Sequence, residues 1–177
     1  DAVARRYVYQ ISTRRTAFAK PFVWWVRDPL DLAAMRAACT AFLGMKNFES
    51  FAAADADDEF RIDEFRLDEL RTDGPNNVPP KSGRKASSAR KPSTLVLVER
   101  LEIVEAGDLI LVGIEGSHFL WKMVRRIVGV LVEIGRGALE PHAAVRMMTE
   151  SSAAPARLTA PPSGLFLDRV WYPGEPR

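Results

Sequence analysis

The stretch Ser117-His118-Phe119-Leu120-Trp121-Lys122-Met123-Val124-Arg125-Arg126-Ile127-Val128-Gly129 combines an almost continuous apolar surface with two adjacent arginines. Its apolar residues recur at spacings of three to four, which predicts a helix with one face in the core. Lys122, Arg125 and Arg126 lie on the remaining arc. A charge on a mostly buried helix needs an anionic partner, because an unpaired buried charge is costly. The sequence leaves two partners open, a carboxylate or an RNA phosphate.

Two β-like runs precede this helix. Residues 94–103 and 109–116 are rich in Val, Ile and Leu, and residues 105–108 between them are typical of a turn, so together they predict an antiparallel hairpin. The helix itself is expected to end near Gly135 or Gly137. A shorter helix is expected to begin at Pro141.

The N-terminal region predicts a strand over residues 5–11, because aromatic and β-branched residues alternate there. Tyr7, Tyr9 and Ile11 would then share one face of that strand. Residues 22–26 are short and apolar, and we expect them to be extended.

A first helix is predicted to follow, with Asp28 as its N-cap, Pro29 in its first turn and Gly44 as its stop. At the other end of the chain, residues 160–167 predict a loop that leads into a final strand at 170–172. This order of strand, helix, hairpin, helices and strand favours a single α+β domain over residues 1–177, with an antiparallel sheet covered by helices.

Residues 55–93 differ in composition from the rest of the domain. Acidic residues dominate 55–73, whereas 74–92 are rich in Pro, Gly, Ser, Asn and basic residues and contain no acid. Such a segment predicts a charged, mobile insertion. Its basic part could contact phosphates, but a solvated loop is the plainer interpretation.

Composition excludes several classes of protein. The chain has 177 residues, 47% of them hydrophobic, which suffices for one core, and its formal charge of +2 is too small to indicate nucleic-acid binding by itself. The single cysteine, Cys39, rules out an intramolecular disulfide and zinc-ligand spacing, and we expect an inert core thiol. With no signal peptide or long apolar run, a cytoplasmic protein that is not in a membrane is expected.

Conventional catalytic motifs are not found in the sequence. It contains no Gly-rich phosphate loop, no nucleophile elbow and no metal-ligand cluster, and its two histidines, His118 and His142, fall in separate elements. These patterns alone indicate only an α+β domain with an unusual arginine helix.

Several segments, taken in their order along the chain, are more specific. The segments are Arg5-Arg6-Tyr7-Val8-Tyr9, Pro29-Leu30-Asp31 with Met35 and Ala37-Ala38, Asn47-Phe48-Glu49-Ser50-Phe51, the arginine helix with its ending Val132-Glu133-Ile134-Gly135-Arg136-Gly137, and Ala160-Pro161-Pro162-Ser163-Gly164-Leu165-Phe166-Leu167. Together they resemble the C-terminal domain of the tRNA pseudouridine synthase A family.

The resemblance implies a pseudouridine synthase-like fold and an isomerase that converts uridine to pseudouridine, typically in the anticodon arm of tRNA. It implies tRNA as substrate, no cofactor or metal, and a homodimer. The target base would have to leave its stack, at a cost of a few kcal/mol.

The resemblance also implies roles for particular residues. Tyr7 matches the tyrosine that stacks on the target base and is a candidate for proton transfer. Arg125 matches the arginine that pairs with the catalytic aspartate, and Leu165 matches the apolar residue on the pocket floor. Each has a structural alternative: a core tyrosine, a salt bridge within the domain, and ordinary core. The residues expected to bind RNA are Arg5, Arg6, Lys122 and Arg126.

One departure from the family pattern concerns the nucleophile. The family's aspartate lies in an N-terminal domain, in a Gly-Arg-Thr-Asp motif, and no such motif occurs here. We therefore expect this chain to be part of a longer enzyme and to be inactive alone. The alternatives are a non-catalytic RNA-binding module of the same fold and a purely structural or protein-binding domain. The sequence upstream of Asp1 would separate the first two.

Overall fold

The computed structural model describes residues 2–53 and 93–176, in which the chain forms six strands and four helices. The strands are β1 (Ala4–Ser12), β2 (Trp24–Trp25), β3 (Gly44–Asn47), β4 (Leu95–Ala106), β5 (Leu109–Gly116) and β6 (Leu165–Trp171). The helices are α1 (Leu32–Cys39), α2 (Met123–Gly135), α3 (His142–Thr149) and α4 (Ala154–Arg157). The α+β class is confirmed. The predicted insertion at 55–93 lies, apart from Ser93, outside the described residues.

Strand β1 lies inside the sheet, with partners along both of its edges. It pairs antiparallel with β5 on one side, while β6 and β2 share the other side. Strands β4 and β3 follow outward from β5, which confirms the predicted β4–β5 hairpin. Because β2 runs parallel to β1, with Ile11 opposite Trp24, the described sheet is mixed and the prediction of an antiparallel sheet is only partly correct.

One face of this sheet carries the core. Tyr9 and Ile11 of β1 are fully buried there, together with Val112 of β5. They belong to the same apolar cluster as the buried face of α2, which includes Ile127 and Leu131. Helix α2 therefore covers the side of β1 on which Tyr9 lies, as the alternation of the strand predicts.

Helix α2 is shorter than predicted at its N-terminus. It begins at Met123, and Lys122 before it has a positive φ of 60°, which interrupts a right-handed helix. The preceding loop instead places the Phe119 ring edge-on against Tyr7, with 5.3 Å between ring centroids. The apolar pattern of residues 117–122 therefore serves a tertiary contact and not a helical face. The predicted end near Gly135 is confirmed.

Helix α1 begins later and ends earlier than predicted. Its N-cap is Asp31, whose side chain accepts a hydrogen bond from the Ala34 backbone N–H at 3.0 Å. Asp28 forms an ion pair with Arg136 at 3.0 Å. The helix ends at Cys39, a short 3₁₀ turn (Thr40–Phe42) follows, and Gly44 opens β3. The prediction of Asp28 as the cap was wrong, because Asp31 is the residue with its carboxylate at the helix start.

The C-terminal elements match the prediction more closely. Helix α3 directly follows Pro141, as expected. Strand β6 begins at Leu165, five residues before the predicted start, because Leu165 and Phe166 already pair with β1. In the described part of the chain, every helix is too short or too polar to cross a membrane.

Candidate functional site

Tyr9 lies at the centre of the contacts that join β1 to the C-terminal segment. Its side chain is fully buried, and its hydroxyl donates a hydrogen bond of 2.6 Å to the carbonyl oxygen of Pro161. Burial raises the pKa of Tyr9 far above its usual value, an effect that the nearby charge of Arg125 partly opposes. Tyr9 therefore stays protonated, so its hydroxyl remains a hydrogen-bond donor at physiological pH.

Arg125 holds the same segment from the helix side. It lies in the first turn of α2, is partly buried, and its Nε donates to the carbonyl oxygen of Ala160 at 2.7 Å. In return, the Ala160 backbone N–H donates to the Arg125 carbonyl oxygen at 3.0 Å. These bonds and the Tyr9 hydroxyl fix residues 160 and 161 between β1 and α2, which in turn orients the guanidinium group.

Two glycines allow this close approach. A Cβ built on Gly129, one turn beyond Arg125, would overlap the carbonyl oxygen of Leu158 and lie 2.7 Å from its carbon. A Cβ on Gly164 would lie 2.6 Å from the Tyr9 ring. Real Cβ contacts are not this short, so both positions need glycine for the chain to pass.

Tyr7 and Leu165 lie beside Tyr9. Tyr7 is on the same face of β1, is partly buried and contacts Phe119. Leu165 faces Tyr9 across the β1–β6 pairing and is also partly buried, and Leu167 faces Tyr7. The structure thus brings together the elements that carry Tyr7, Arg125 and Leu165, and it does so around Tyr9.

Sequence reasoning placed Tyr9 on the same strand face as Tyr7 but did not assign it a role in the site. The available signal was its place two residues after Tyr7, on the same strand face. A buried tyrosine hydroxyl needs a partner, but the sequence does not reveal that the partner is a carbonyl group 152 positions away.

The two arginines of β1 lie on opposite faces of the sheet. Arg5, on the Tyr7 side, donates from Nη1 to the Ser117 carbonyl oxygen at 3.2 Å. Arg6 forms ion pairs with Glu102 at 2.7 Å and with Asp168 at 3.2 Å. Of the two, only Arg5 lies on the sheet face that carries Tyr7.

Arg126 and Lys122 also differ in their surroundings. The Arg126 Nη1 donates to the Ala52 carbonyl oxygen at 2.5 Å, which fixes the chain next to the buried Phe51. Burial lowers the pKa of Arg126. Lys122 is partly buried just before α2. The contacts that Arg126 makes in the described chain are therefore with neutral carbonyl groups and not with an anion.

Other candidate chemistry is sparse in the described residues. No three His, Cys, Asp or Glu side chains among them come close enough to hold a metal ion. His118 pairs through Nδ1 with the Ser117 hydroxyl at 3.0 Å. Cys39 is buried, and burial raises the pKa of its thiol to about 11, which is consistent with the expected inert thiol.

Fold and site together define an α+β domain with a tyrosine and arginine site on one face of a mixed sheet. A family model described as tRNA pseudouridine synthase matches residues 38–173. The chain is 33% identical to tRNA pseudouridine synthase A of Geobacter sulfurreducens over 167 residues, covering 94% of this chain and 55% of that protein.

Two further relatives give the same result. The enzyme of the same name from Nitrosococcus oceani is 33% identical over 98% of this chain and 55% of its own length, and that from Chromobacterium violaceum is 30% identical over 99% and 55%. The chain belongs to the tRNA pseudouridine synthase A family, and it spans about half the length of the curated relatives that it matches.

Proposed function

We propose that this chain forms one side of the catalytic cleft of a tRNA pseudouridine synthase that isomerises uridine to pseudouridine in the anticodon arm. The observation that carries the proposal is the family match over residues 38–173. The meeting of β1, α2 and β6 around Tyr9 supports it, because these elements carry the three residues to which the family resemblance gives roles.

The reaction is balanced without a co-substrate. The C1′–N1 glycosidic bond of uridine breaks, the uracil turns, and a C1′–C5 bond forms. A proton leaves C5 and N1 gains one, so substrate and product have the same atoms and the same oxidation state. The chemistry therefore needs a nucleophile, a positioned base and an acceptor for the C5 proton, and it needs no redox cofactor.

The nucleophile in this proposal is an aspartate from another part of the polypeptide, and Arg125 pairs with it. A guanidinium group suits that role because it binds a carboxylate through two parallel hydrogen bonds. The hydrogen bond from the Arg125 Nε to Ala160 supports the role, since it holds the guanidinium in one orientation.

Tyr7 and Leu165 contact the base in this proposal. Tyr7 stacks on the flipped uracil and is the candidate for proton transfer, and its edge contact with Phe119 holds its ring. Leu165 forms an apolar wall that keeps water from the reacting atoms. Its place opposite Tyr9 in β6 supports this role.

The cations of the site would contact the RNA backbone. Arg5 and Lys122 are the better candidates, because they flank Tyr7 and the start of α2. Arg6 binds two carboxylates, and Arg126 is desolvated by burial and holds the Ala52 carbonyl oxygen at 2.5 Å, a shorter bond than the 3.2 Å bond of Arg5 to Ser117, so RNA contact by Arg6 or Arg126 would require these closer contacts to be exchanged or shared. We further propose that the complete enzyme acts as a homodimer in the cytoplasm.

Replacement of Arg125 tests the proposal. In the full-length polypeptide, Arg125→Ala is expected to lower the rate of isomerisation about 100-fold or more, since the aspartate would lose its orientation. Arg125→Lys should restore little, because an ammonium group cannot form the paired hydrogen bonds. The measurement is tritium release from C5-labelled tRNA, alongside tRNA affinity, which should stay near the wild-type value.

The matched control is Arg146→Ala, which removes an exposed arginine from α3 and should leave turnover unchanged. Full turnover by Arg125→Ala would overturn the assigned role. Tritium release by residues 1–177 alone would show that the chain contains its own nucleophile. Binding of tRNA by the full-length polypeptide without any release would instead favour the non-catalytic RNA-binding module.

A further inference from the structure

A concave surface lies beside the candidate site. It is a cavity of about 530 Å³ between the loop after β1 and strand β2. Its lining includes Arg15, Lys20, Pro21, Trp25 and Ser163. We call it the basic pocket. The roles proposed above for Tyr7, Arg125 and Leu165 make no use of it.

The basic pocket combines positive charge with an aromatic surface. The guanidinium carbon of Arg15 lies 5.5 Å from the centroid of the Trp25 ring, in a cation–π contact. The Trp25 side chain is 41% exposed, and Lys20 adds a second cation. None of the described residues that line the pocket is acidic. Such a surface suits an anionic ligand that also has a planar ring.

The pocket shares a wall with the candidate site. Ser163 belongs to the turn (Pro162–Gly164) that leads directly into Leu165, and two residues of chain span at most about 7 Å. The Ser163 hydroxyl donates to the Val23 carbonyl oxygen at 3.4 Å, which joins this turn to the loop before β2. Trp24, the neighbour of Trp25, packs edge-on against Tyr9. A polymer bound at Leu165 could therefore continue into the pocket.

We propose that the basic pocket binds a nucleotide of the RNA strand that carries the target uridine. Arg15 and Lys20 hold its phosphodiester, and the Arg15–Trp25 pair gives its base a planar surface for stacking. This inference rests on the proposed function for the choice of RNA. It goes beyond that function by assigning a second binding site outside the place of reaction.

Salt-dependent binding tests the phosphate contacts. The full-length polypeptide carrying Arg15→Ala and Lys20→Ala is titrated with a fluorescent RNA stem-loop of anticodon-arm structure at several salt concentrations. Loss of two phosphate contacts is expected to reduce the slope of log affinity against log salt by about 1.4 to 1.8. The pair Arg15→Lys and Lys20→Arg keeps both charges and should keep most of the slope.

The matched control removes the same charge from the same segment. Arg14 is ion-paired with Asp108 at 3.4 Å, and neither Arg14 nor Arg27 lines the pocket. The pair Arg14→Ala and Arg27→Ala should therefore change the slope much less. If both pairs change it equally, the effect is one of net charge and the pocket assignment is overturned.

A stacking test examines Trp25 independently. Trp25→Ala should weaken RNA binding about tenfold, and Trp25→Phe should retain most of the affinity because it keeps an aromatic face. Thermal unfolding followed by circular dichroism identifies any variant that loses its fold. Wild-type affinity in folded Trp25→Ala would rule out stacking on this side chain.

The two proposals fail in different ways. If the wild-type polypeptide binds RNA through the pocket and releases no tritium, the proposed isomerase activity is wrong and the pocket stands. If it releases tritium and the pocket variants bind RNA as the wild type does, the pocket inference is wrong and the proposed function stands. If the wild type binds no RNA, the pocket inference is overturned.

Discussion

Tyr9 shows how a single buried hydroxyl group can organise a site. Its hydrogen bond to Pro161 and the bond from Arg125 to Ala160 hold two consecutive residues of one segment. These two hydrogen bonds tie the segment to β1 and to α2. Loss of either bond would leave a carbonyl group unpaired, which costs free energy. The family resemblance assigned roles to Tyr7, Arg125 and Leu165 from the sequence. It assigned none to Tyr9, the residue around which the elements that carry them meet.

Removal of that hydroxyl should weaken both the fold and the reaction. Tyr9→Phe leaves the Pro161 carbonyl oxygen without its donor, so we expect a loss of about 1 to 2 kcal/mol in the free energy of unfolding. In the full-length polypeptide, kcat should fall while KM changes little, since the Ala160 carbonyl group that orients Arg125 would be held less firmly. Urea unfolding and steady-state kinetics measure the two effects.

Tyr172→Phe is the control, because the Tyr172 side chain is 53% exposed. It should leave stability and kinetics unchanged. If Tyr9→Phe is as stable as wild type, the hydrogen bond to Pro161 contributes nothing and the positioning of Arg125 needs another explanation.

At the scale of elements, helix α2 fits its neighbours through small residues. Gly129 lets the backbone at Leu158 pass against the helix, and this contact leads directly to the Ala160 position that Arg125 holds. The helix was predicted from its periodicity, and its end was predicted well. Its start was not, because the apolar residues before Met123 pack in a loop that the periodicity alone cannot distinguish from a helix.

A pair of substitutions in α2 tests this packing. Alanine usually stabilises a helix relative to glycine, by about 1 kcal/mol. At Gly129 the added Cβ would meet the backbone of Leu158, so we expect Gly129→Ala to lower the free energy of unfolding by about 2 kcal/mol or more. Thermal and urea unfolding measure the change.

Gly135→Ala is the matched comparison in the same helix. Its nearest obstacles are the Met35 and Leu30 side chains, which can move, so its cost should be smaller. Equal costs at the two positions would show that the backbone approach at Leu158 does not govern the packing of α2.

At the scale of the whole molecule, burial of Cys39 in the core makes folding stability depend on pH. Cys39 is 5% exposed at the end of α1, and burial raises the pKa of its thiol from 9.0 to about 11, while the charge of Arg36 opposes the rise. The unfolded thiol loses its proton first as pH rises. The contribution of Cys39 to folding stability is therefore fully present below about pH 9 and is lost as pH increases toward 11.

The contribution of Cys39 can be isolated by comparison with Cys39→Ala. Between about pH 9 and 10 the wild type should lose stability more steeply than the variant, by at most about 1.4 kcal/mol per pH unit. Urea unfolding at several pH values measures both slopes, and the other titrating groups are common to the two proteins. Parallel slopes would mean that the thiol is solvated in the folded state.

The sequence by itself determined the α+β class, strand β1, the β4–β5 hairpin, the end of α2 and the buried Cys39. It also determined the family, through segments that keep their order along the chain. Each of these features is recorded locally, because a strand or a helix that buries one face must repeat apolar residues at its own period.

Only the tertiary structure decided the parallel pairing of β2, the start of α2, the carboxylate partners of Arg6 and the carbonyl partners of Arg126. It also decided that Tyr9 and Arg125 hold residues 160 and 161 between them. These features join groups far apart in the chain. Hydrogen bonds and charges select such partners only after the core has brought the elements together, so no local pattern of residues records them.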